Sequence, residues 1–125
     1  MSASEPVGRA IISSGNLDDL GLGYDVAEHP DGVVVSLRGE LDLATAPEFQ
    51  RCLLDLIARP VDGFAIDLAQ LTFLDSSGLG ALYRARQAAD EQGTHMRLRA
   101  VPEHVMRVLD VTAMAQLFEF DGRPA

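Results

Sequence analysis

The sequence lacks the marks of a disulfide-bonded, zinc-binding or exported protein. Cys52 is the single cysteine among 125 residues, so an internal disulfide is excluded, and no spacing of Cys and His resembles a zinc site. Such cysteine usage fits a reducing compartment, and we expect a cytoplasmic protein. No apolar run approaches the ~20 residues of a membrane span. The N-terminus has no basic stretch followed by an apolar one, which argues against a signal peptide.

Positive charge is scarce as well. The chain has 19 acidic and 10 basic residues, which gives a formal net charge of -9. A field of this sign repels phosphate backbones and anionic membrane surfaces, so we expect neither nucleic acid nor a membrane as a direct partner. With 125 residues, of which 47% are hydrophobic, the chain is long enough for one packed core, and we expect a single domain.

The first part of the chain offers little to bury. Residues 1–23 contain Ser, Gly, Pro and acidic residues, with Ile11, Ile12 and scattered leucines as their apolar content. Ordering such a segment is weakly compensated, and we predict a flexible tail over residues 1–23. The pattern changes at Tyr24, and we predict that the folded domain spans residues 24–121.

From Tyr24 onward, strand patterns alternate with helix patterns. Alternating or continuous apolar segments predict strands at residues 24–27, 33–38, 64–68, 96–100 and 116–120. Apolar residues at helical spacing predict three helices: one that ends before Pro60, one over residues 76–92 that is closed by Gly93, and one that starts at Pro102. Thr45 and Glu48 have the spacing of a capping box at the start of the first helix.

This order of elements predicts an α/β fold. We expect a mixed sheet of about four to five strands with the helices packed on one face, stabilised chiefly by hydrophobic packing. Function in open α/β sheets concentrates at the carboxyl ends of the strands. The strand over residues 64–68 leads into residues 72–80, so that segment is where we expect a functional site.

Residues 72–80, Thr-Phe-Leu-Asp-Ser-Ser-Gly-Leu-Gly, enter the second helix. Asp75 or Ser76 can cap that helix, and the amides of its first turn favour an anionic group, so the fold would tolerate a phosphate on a serine here. A plainer interpretation stays open, in which Asp-Ser-Ser is only a good N-cap and Gly78 and Gly80 allow close packing on the sheet. Two glycines in a first turn lower helix propensity by roughly 1 kcal/mol each, which indicates that close approach matters there.

Catalytic chemistry fits this segment poorly. Residues 78–83 carry two glycines of a dinucleotide fingerprint, but Tyr83 stands at the third glycine position. A nucleophile elbow needs Gly-x-Ser-x-Gly, whereas Leu74 and Asp75 stand two residues before the serines, and no pattern brings a histidine to Ser76. The chain has no P-loop and no local metal-ligand cluster. We expect no enzyme activity, no cofactor and no metal site.

Two motifs resemble those of a known family. Residues 73–80, Phe-Leu-Asp-Ser-Ser-Gly-Leu-Gly, are similar to the signature of the STAS-domain anti-sigma factor antagonists, which are partner-switching regulators of bacterial sporulation and stress responses. Residues 37–42, Leu-Arg-Gly-Glu-Leu-Asp, resemble the family's second strand and the turn before its first helix. Together with the order of elements from Tyr24 to Phe120, the two motifs imply the STAS fold.

The resemblance implies a binding protein rather than an enzyme. Members of this family bind an anti-sigma factor, itself an ATP-dependent serine kinase, and so free the sigma factor. Ser76 matches the family's phosphorylation site. Asp42 matches an acidic residue that pairs with a basic residue of the kinase, although a solvated turn carboxylate is the open alternative for it. The rest of the implied partner-binding surface consists of Asp75, Ser77, Gly78 and Leu79.

The implied switch depends on charge. Phosphorylation adds about −1.5 to −2 charges near Asp42 and Asp75, so repulsion and desolvation would oppose docking while the fold survives. A separate serine phosphatase would reset the protein. A second function class stays open, in which a stand-alone STAS domain senses a small molecule or nucleotide. For Cys52, which lies near the apolar stripe of the first helix, we expect a buried structural thiol.

Overall fold

The computed structural model describes residues 10–17, 21–30, 32–59 and 61–121, and within the first of these ranges it describes the backbone alone. One sheet runs through this part of the chain, and its strands are neighbours in chain order: β1 (Ala10–Leu17), β2 (Leu22–His29), β3 (Gly32–Leu41), β4 (Gly63–Leu74), β5 (His95–Arg99) and β6 (Glu119–Asp121). β1 pairs with β2 and β2 with β3 in antiparallel orientation, and the other pairs are parallel. The sheet is therefore mixed, as predicted.

The described helices connect the parallel strands. They are α1 (Ala46–Ile57) between β3 and β4, α2 (Ser76–Glu91) between β4 and β5, and α3 (Glu103–Val111), which is followed by a 3₁₀ turn (Ala115–Leu117) before β6. Such crossovers are right-handed, and the strand order from β3 to β6 moves steadily in one direction across the sheet. The helices therefore lie on one face, as expected, and α1 packs against α2 there.

The strand β1 corrects the sequence analysis, which assigned residues 1–23 to a flexible tail. The structure instead places Ala10–Leu17 in a strand paired with β2, and β2 begins at Leu22, whose side chain is buried. Residues 1–9 and 18–20 lie outside the described part of the chain. The tail was predicted from apolar content, whereas β1 is defined by backbone pairing, which the composition of a segment does not report. The sheet gains one strand beyond the four to five expected.

The start of α1 differs from the predicted capping box. Thr45 occupies the N-cap position, but its side chain makes no cap hydrogen bond. The Thr45 hydroxyl donates instead to the carbonyl oxygen of Glu40 at 3.0 Å and accepts the backbone N–H of Asp42 at 2.9 Å. Thr45 is fully buried, so its hydroxyl stabilises the turn between β3 and α1 rather than the helix end.

The core lies between the sheet and the helices. Alternate residues of the strands face it, and the largest fully buried side chains include Phe49 and Leu53 of α1, Ile66 of β4, Leu82 of α2 and Leu98 of β5. Burying each of these side chains contributes roughly 1.5–3 kcal/mol. Because this core fixes α1 and α2 against β3 and β4, it also fixes the loops in which these strands end.

The opposite face of the sheet carries charged side chains that pair across neighbouring strands. These pairs are Asp25–Arg38 at 3.0 Å, Asp67–Arg99 at 3.5 Å and Arg97–Asp121 at 3.8 Å. All six side chains are partly exposed to solvent, so each pair contributes little to stability. This face thus carries charged pairs of both signs, together with the buried apolar residues Val34 and Ala65.

Cys52 of α1 is half-buried and has no disulfide partner. Burial raises the pKa of its thiol, while a hydrogen bond with Tyr24 acts in the opposite direction and the nearby Asp55 adds to the increase. A thiol whose pKa is raised is protonated at neutral pH, and it is a poor nucleophile. These features agree with the structural role expected for this residue.

Candidate functional site

The two sequence motifs meet at one edge of the sheet. β3 and β4 run in parallel, and their last residues, Leu41 and Leu74, lie opposite each other. An aspartate follows each strand directly, Asp42 after β3 and Asp75 after β4. The carboxyl ends of parallel strands are the usual position of functional sites in α/β proteins. The two aspartates are therefore 33 positions apart along the chain but lie at the same edge of the sheet.

Asp75 connects three segments at this edge. One carboxylate oxygen, Oδ1, accepts the backbone N–H of Gly78 at 2.9 Å and so caps α2. The other, Oδ2, accepts the N–H of Leu43 at 3.3 Å in the loop before α1. The Asp75 N–H donates to the carbonyl oxygen of Leu41 at 3.3 Å. Asp75 thus holds the start of α2 against the end of β3, and the predicted N-cap is present.

Asp42 organises the turn between β3 and α1. Its Oδ1 accepts the backbone N–H groups of Ala44 at 3.0 Å and Thr45 at 3.2 Å. The side chain is half-buried and bonded to its own loop. This geometry gives Asp42 the structural role of a turn carboxylate, which was one of the two interpretations of the sequence. Its pairing with a basic residue of a partner stays a prediction.

Gly78 and Leu79 face inward, which corrects their assignment to the partner-binding surface. Leu79 is 2% exposed and packs in the core, and Gly78 is buried as well. A Cβ atom at Gly78 would clash with the carbonyl oxygen of Leu41 and would also lie 2.9 Å from its Cγ. Gly78 therefore permits the close approach of α2 to β3, as the plainer interpretation of the sequence proposed. Neither residue offers an exposed side chain to a partner in this structure.

The two serines remain at the surface. Ser76 is exposed at the first position of α2, and Ser77 is half-buried beside it. Within the residues that the structure describes, the Ser76 hydroxyl has no hydrogen-bond partner. Its oxygen is consequently open to a modifying enzyme, and its position is fixed by the Asp75 cap one residue earlier.

A cavity of about 290 Å³ lies directly beside the serines. A larger cavity, of about 510 Å³, lies where β3, β4 and β5 begin. The lining of the smaller cavity comes from the loop before α1 and from the first two or three turns of α1 and α2, and consists of Leu43, Ala46, Pro47, Gln50, Ser76, Ser77, Gly80 and Arg84. Leu43 is 74% exposed although it is apolar. Arg84 is exposed and donates from Nε to Oε1 of Gln50 at 3.2 Å.

The sequence analysis missed Leu43 and Arg84. A signal for Leu43 was present, because it is an apolar residue in a polar turn between a strand and a helix. Arg84 had no such signal, since it joins the serines only through the direction in which its side chain extends along α2.

Among the described residues, no helix is long and apolar enough to span a membrane.

Fold and site together define a class of protein. A profile of the STAS domain matches residues 24–123, and the chain belongs to the STAS domain family. It is 26% identical over 98 residues to an anti-sigma-B factor antagonist of Staphylococcus epidermidis, an alignment that covers 78% of this chain and 91% of the relative. The resemblance recognised from the two motifs is confirmed.

Solved structures show the same likeness. The crystal structure of an anti-sigma factor antagonist from Mycobacterium paratuberculosis matches with a TM-score of 0.72 at 25% identity, covering 82% of this chain and 86% of that chain. The anti-sigma factor antagonist SpoIIAA in its unphosphorylated form matches with a TM-score of 0.62 at 17% identity, covering 91% of this chain and 90% of that chain, and shares the fold.

Proposed function

We propose that this protein is a cytoplasmic anti-sigma factor antagonist that binds an anti-sigma factor with serine kinase activity and so releases a sigma factor. Phosphorylation of Ser76 by that kinase switches the antagonist off, and a serine phosphatase restores it. The observation that carries the proposal is the exposed, unbonded hydroxyl of Ser76, held at the start of α2 by the Asp75 cap. The family and its curated relatives, which are named as antagonists, support the same role.

The docking surface centres on the cavity beside the serines. Leu43 offers an exposed apolar side chain at its rim, and Ser76 and Ser77 form its α2 side. Covering this side chain with a partner would remove apolar surface from water and so favour binding. Asp75 contributes by holding Leu43 in place through the bond to its N–H, and Asp42 shapes the same loop. Gly78 and Leu79 are buried beneath this surface and pack α2 against the rest of the fold.

Phosphorylation would oppose docking without unfolding the protein. A phosphate adds about −1.5 to −2 charges at neutral pH, here beside the carboxylate of Asp75. The exposed position of Ser76 lets the fold accept this group, but a partner would have to desolvate it. SpoIIAA, a fold neighbour with a TM-score of 0.57 in this comparison, has been solved in a phosphorylated form, so a STAS fold accommodates phosphorylation.

Incubation with candidate anti-sigma kinases and ATP, followed by peptide mass spectrometry, tests the proposal. We expect one phosphate, on Ser76, and its loss in Ser76→Ala but not in the matched variant Ser77→Ala. Transfer to Ser77 alone, or efficient modification of Ser76→Ala, would contradict the assignment. Absence of any complex with every anti-sigma factor of the source cell would contradict the antagonist function itself.

A second function, sensing of a small molecule or nucleotide, is favoured by one observation. The cavity of about 510 Å³ at the opposite edge of the sheet is large enough for a small ligand. Its polar lining includes Asp62, His95 and Arg97, beside the backbone of Gly32 and Gly63. Differential scanning fluorimetry with a nucleotide and metabolite panel tests this function, because a bound ligand raises the melting temperature.

A further inference from the structure

Arg84 extends along α2 toward the serines. Helical side chains lean toward the N-terminus of their helix, and Gly80 lies one turn before Arg84. A Cβ atom built on Gly80 would stand 3.2 Å from Nη1 of Arg84, so the guanidinium lies over the bare backbone of this glycine. Gly80 in turn lies one turn after Ser76 and Ser77. The absence of a side chain at Gly80 therefore leaves room for a cation next to the serines.

The charge of Arg84 is not neutralised in the described part of the chain. Most other arginines of the described residues pair with carboxylates, as Arg38 does with Asp25 and Arg107 with Glu103, although Arg59 does not. Arg84 has no carboxylate within 4.0 Å there, and its hydrogen bond goes to the neutral amide of Gln50 at 3.2 Å. In a chain with a net charge of -9, a cation without an anionic partner next to a modifiable hydroxyl calls for an explanation.

We propose that Arg84 receives the phosphate of phosphorylated Ser76 inside the cavity that both residues line. The guanidinium exchanges its bond to Gln50 for a charge-assisted bond to the phosphate, which is the stronger of the two. The phosphate then lies in the cavity of about 290 Å³ beside Leu43 and takes up part of it. Phosphorylation thus blocks the docking surface by occupying it, in addition to repelling the partner, and the bond to Arg84 lengthens the lifetime of the inactive state.

This inference gives the mechanism of the switch and depends on the proposed function for its physiological meaning, but its physical test does not. Phosphoserine is installed at position 76 by genetic encoding, and the second ionisation of the phosphate is followed by ³¹P NMR titration. A neighbouring cation favours the dianion, so Arg84→Gln is expected to raise this pKa by about 0.5 unit. Arg84→Lys retains the charge and is expected to recover at least half of the shift.

Arg107→Gln is the matched control, because Arg107 is an exposed helical arginine on α3, which contributes nothing to the cavity lining. It is expected to leave the phosphate pKa unchanged, as well as the melting temperature. Equal phosphate pKa values in the Arg84→Gln and parent phosphoproteins would overturn the inference and leave the proposed function standing. A shifted phosphate pKa in a protein that no cellular kinase modifies would support the contact with Arg84 and contradict the proposed function.

Discussion

The two edges of the sheet at which its parallel strands begin and end differ in their cavities and in their hydrogen bonds. The edge where β3, β4 and β5 begin has the larger cavity, about 510 Å³ against about 290 Å³ beside Ser76. The edge where β3 and β4 end has the network of hydrogen bonds, in which Asp75 caps α2 and holds Leu43. Cavity volume therefore favours one edge as the functional site, and the preorganised hydrogen-bond network favours the other. Preorganisation is the better guide here, because this network of hydrogen bonds fixes the exposed hydroxyl of Ser76 and the exposed apolar side chain of Leu43 in one geometry.

Charge separates the same two edges. At the first edge, Arg97 reaches Asp121 at 3.8 Å, so its cation already has an anionic neighbour. At the second edge, the amide of Gln50 is the sole partner of Arg84 among the residues that the structure describes. A site that gains a phosphate benefits from a cation without an anionic partner. The comparison thus predicts that substitutions at the Ser76 edge change regulation, while those at the opposite edge do not.

The largest effect is expected for Ser76→Asp. A carboxylate at this position imitates the charge of the phosphate and should weaken binding to the anti-sigma factor at least about 100-fold, or ~2.7 kcal/mol. Isothermal titration calorimetry measures this loss, and the melting temperature should change little because Ser76 is exposed. Ser76→Ala should bind like the parent protein.

His95→Ala at the opposite edge is the control for this contrast. His95 is exposed and lines the larger cavity, so its loss should leave partner affinity unchanged. Equal partner affinities for Ser76→Asp and the parent protein would contradict the claim that the Ser76 edge controls binding. A loss of binding caused by His95→Ala would contradict it as well.

The next effect is on stability and concerns the two glycines of α2. Gly78→Ala forces a methyl group onto the carbonyl of Leu41, and overpacking of this kind costs about 2 kcal/mol even after the better helix propensity of alanine. Gly80→Ala meets only the flexible end of Arg84, at 3.2 Å, so it should leave stability unchanged or increase it by up to about 1 kcal/mol. Urea unfolding separates the two variants, and a stable Gly78→Ala protein would refute the close-approach argument.

Much of this fold was predictable because periodicity and turn residues report local preferences. The first helix was expected to end before Pro60 and does so at Ile57, and the second closes at Gly93, whose φ is +77°. The extra length of β4 was not predictable: Leu71 and Leu74 are buried and extend the strand beyond residues 64–68, although Thr72 and Phe73 between them are exposed. Pairing with β3 decides this extension, and pairing is not a local property.

The candidate site divides in the same way. The N-cap at Asp75 and the exposure of Ser76 follow from the sequence around them. The inward direction of Leu79 did not follow from the motif alone, since the same residues could form a contact surface or a packed helix start. Leu43 and Arg84 joined the site only when α1 and α2 were placed side by side. Local signals therefore found the residue proposed to be modified, and tertiary packing supplied its surroundings.

A smaller effect on binding is expected for Leu43→Ala. This side chain is 74% exposed, so its truncation should not reduce stability measurably. If a partner covers it, the loss of apolar contact should weaken binding about tenfold, or ~1.4 kcal/mol. Leu54→Ala is the control, since Leu54 is also an exposed leucine, on α1, but does not line the cavity. Equal losses for both variants would mean that the docking surface extends beyond the Ser76 edge.

The smallest effect is expected for Asp75→Ala, which tests whether the hydrogen-bond network distinguishes the two edges. Loss of the cap on α2 should lower the free energy of unfolding by about 1 kcal/mol, as for other N-cap substitutions, and thermal denaturation measures this change. Asp75→Asn should lose less, because the amide oxygen can still accept the N–H of Gly78. Since the same side chain holds Leu43, Asp75→Ala should also weaken partner binding, but by less than Leu43→Ala does. If affinity falls while stability stays at the parent value, Asp75 contacts the partner directly and its role in positioning the loop is secondary.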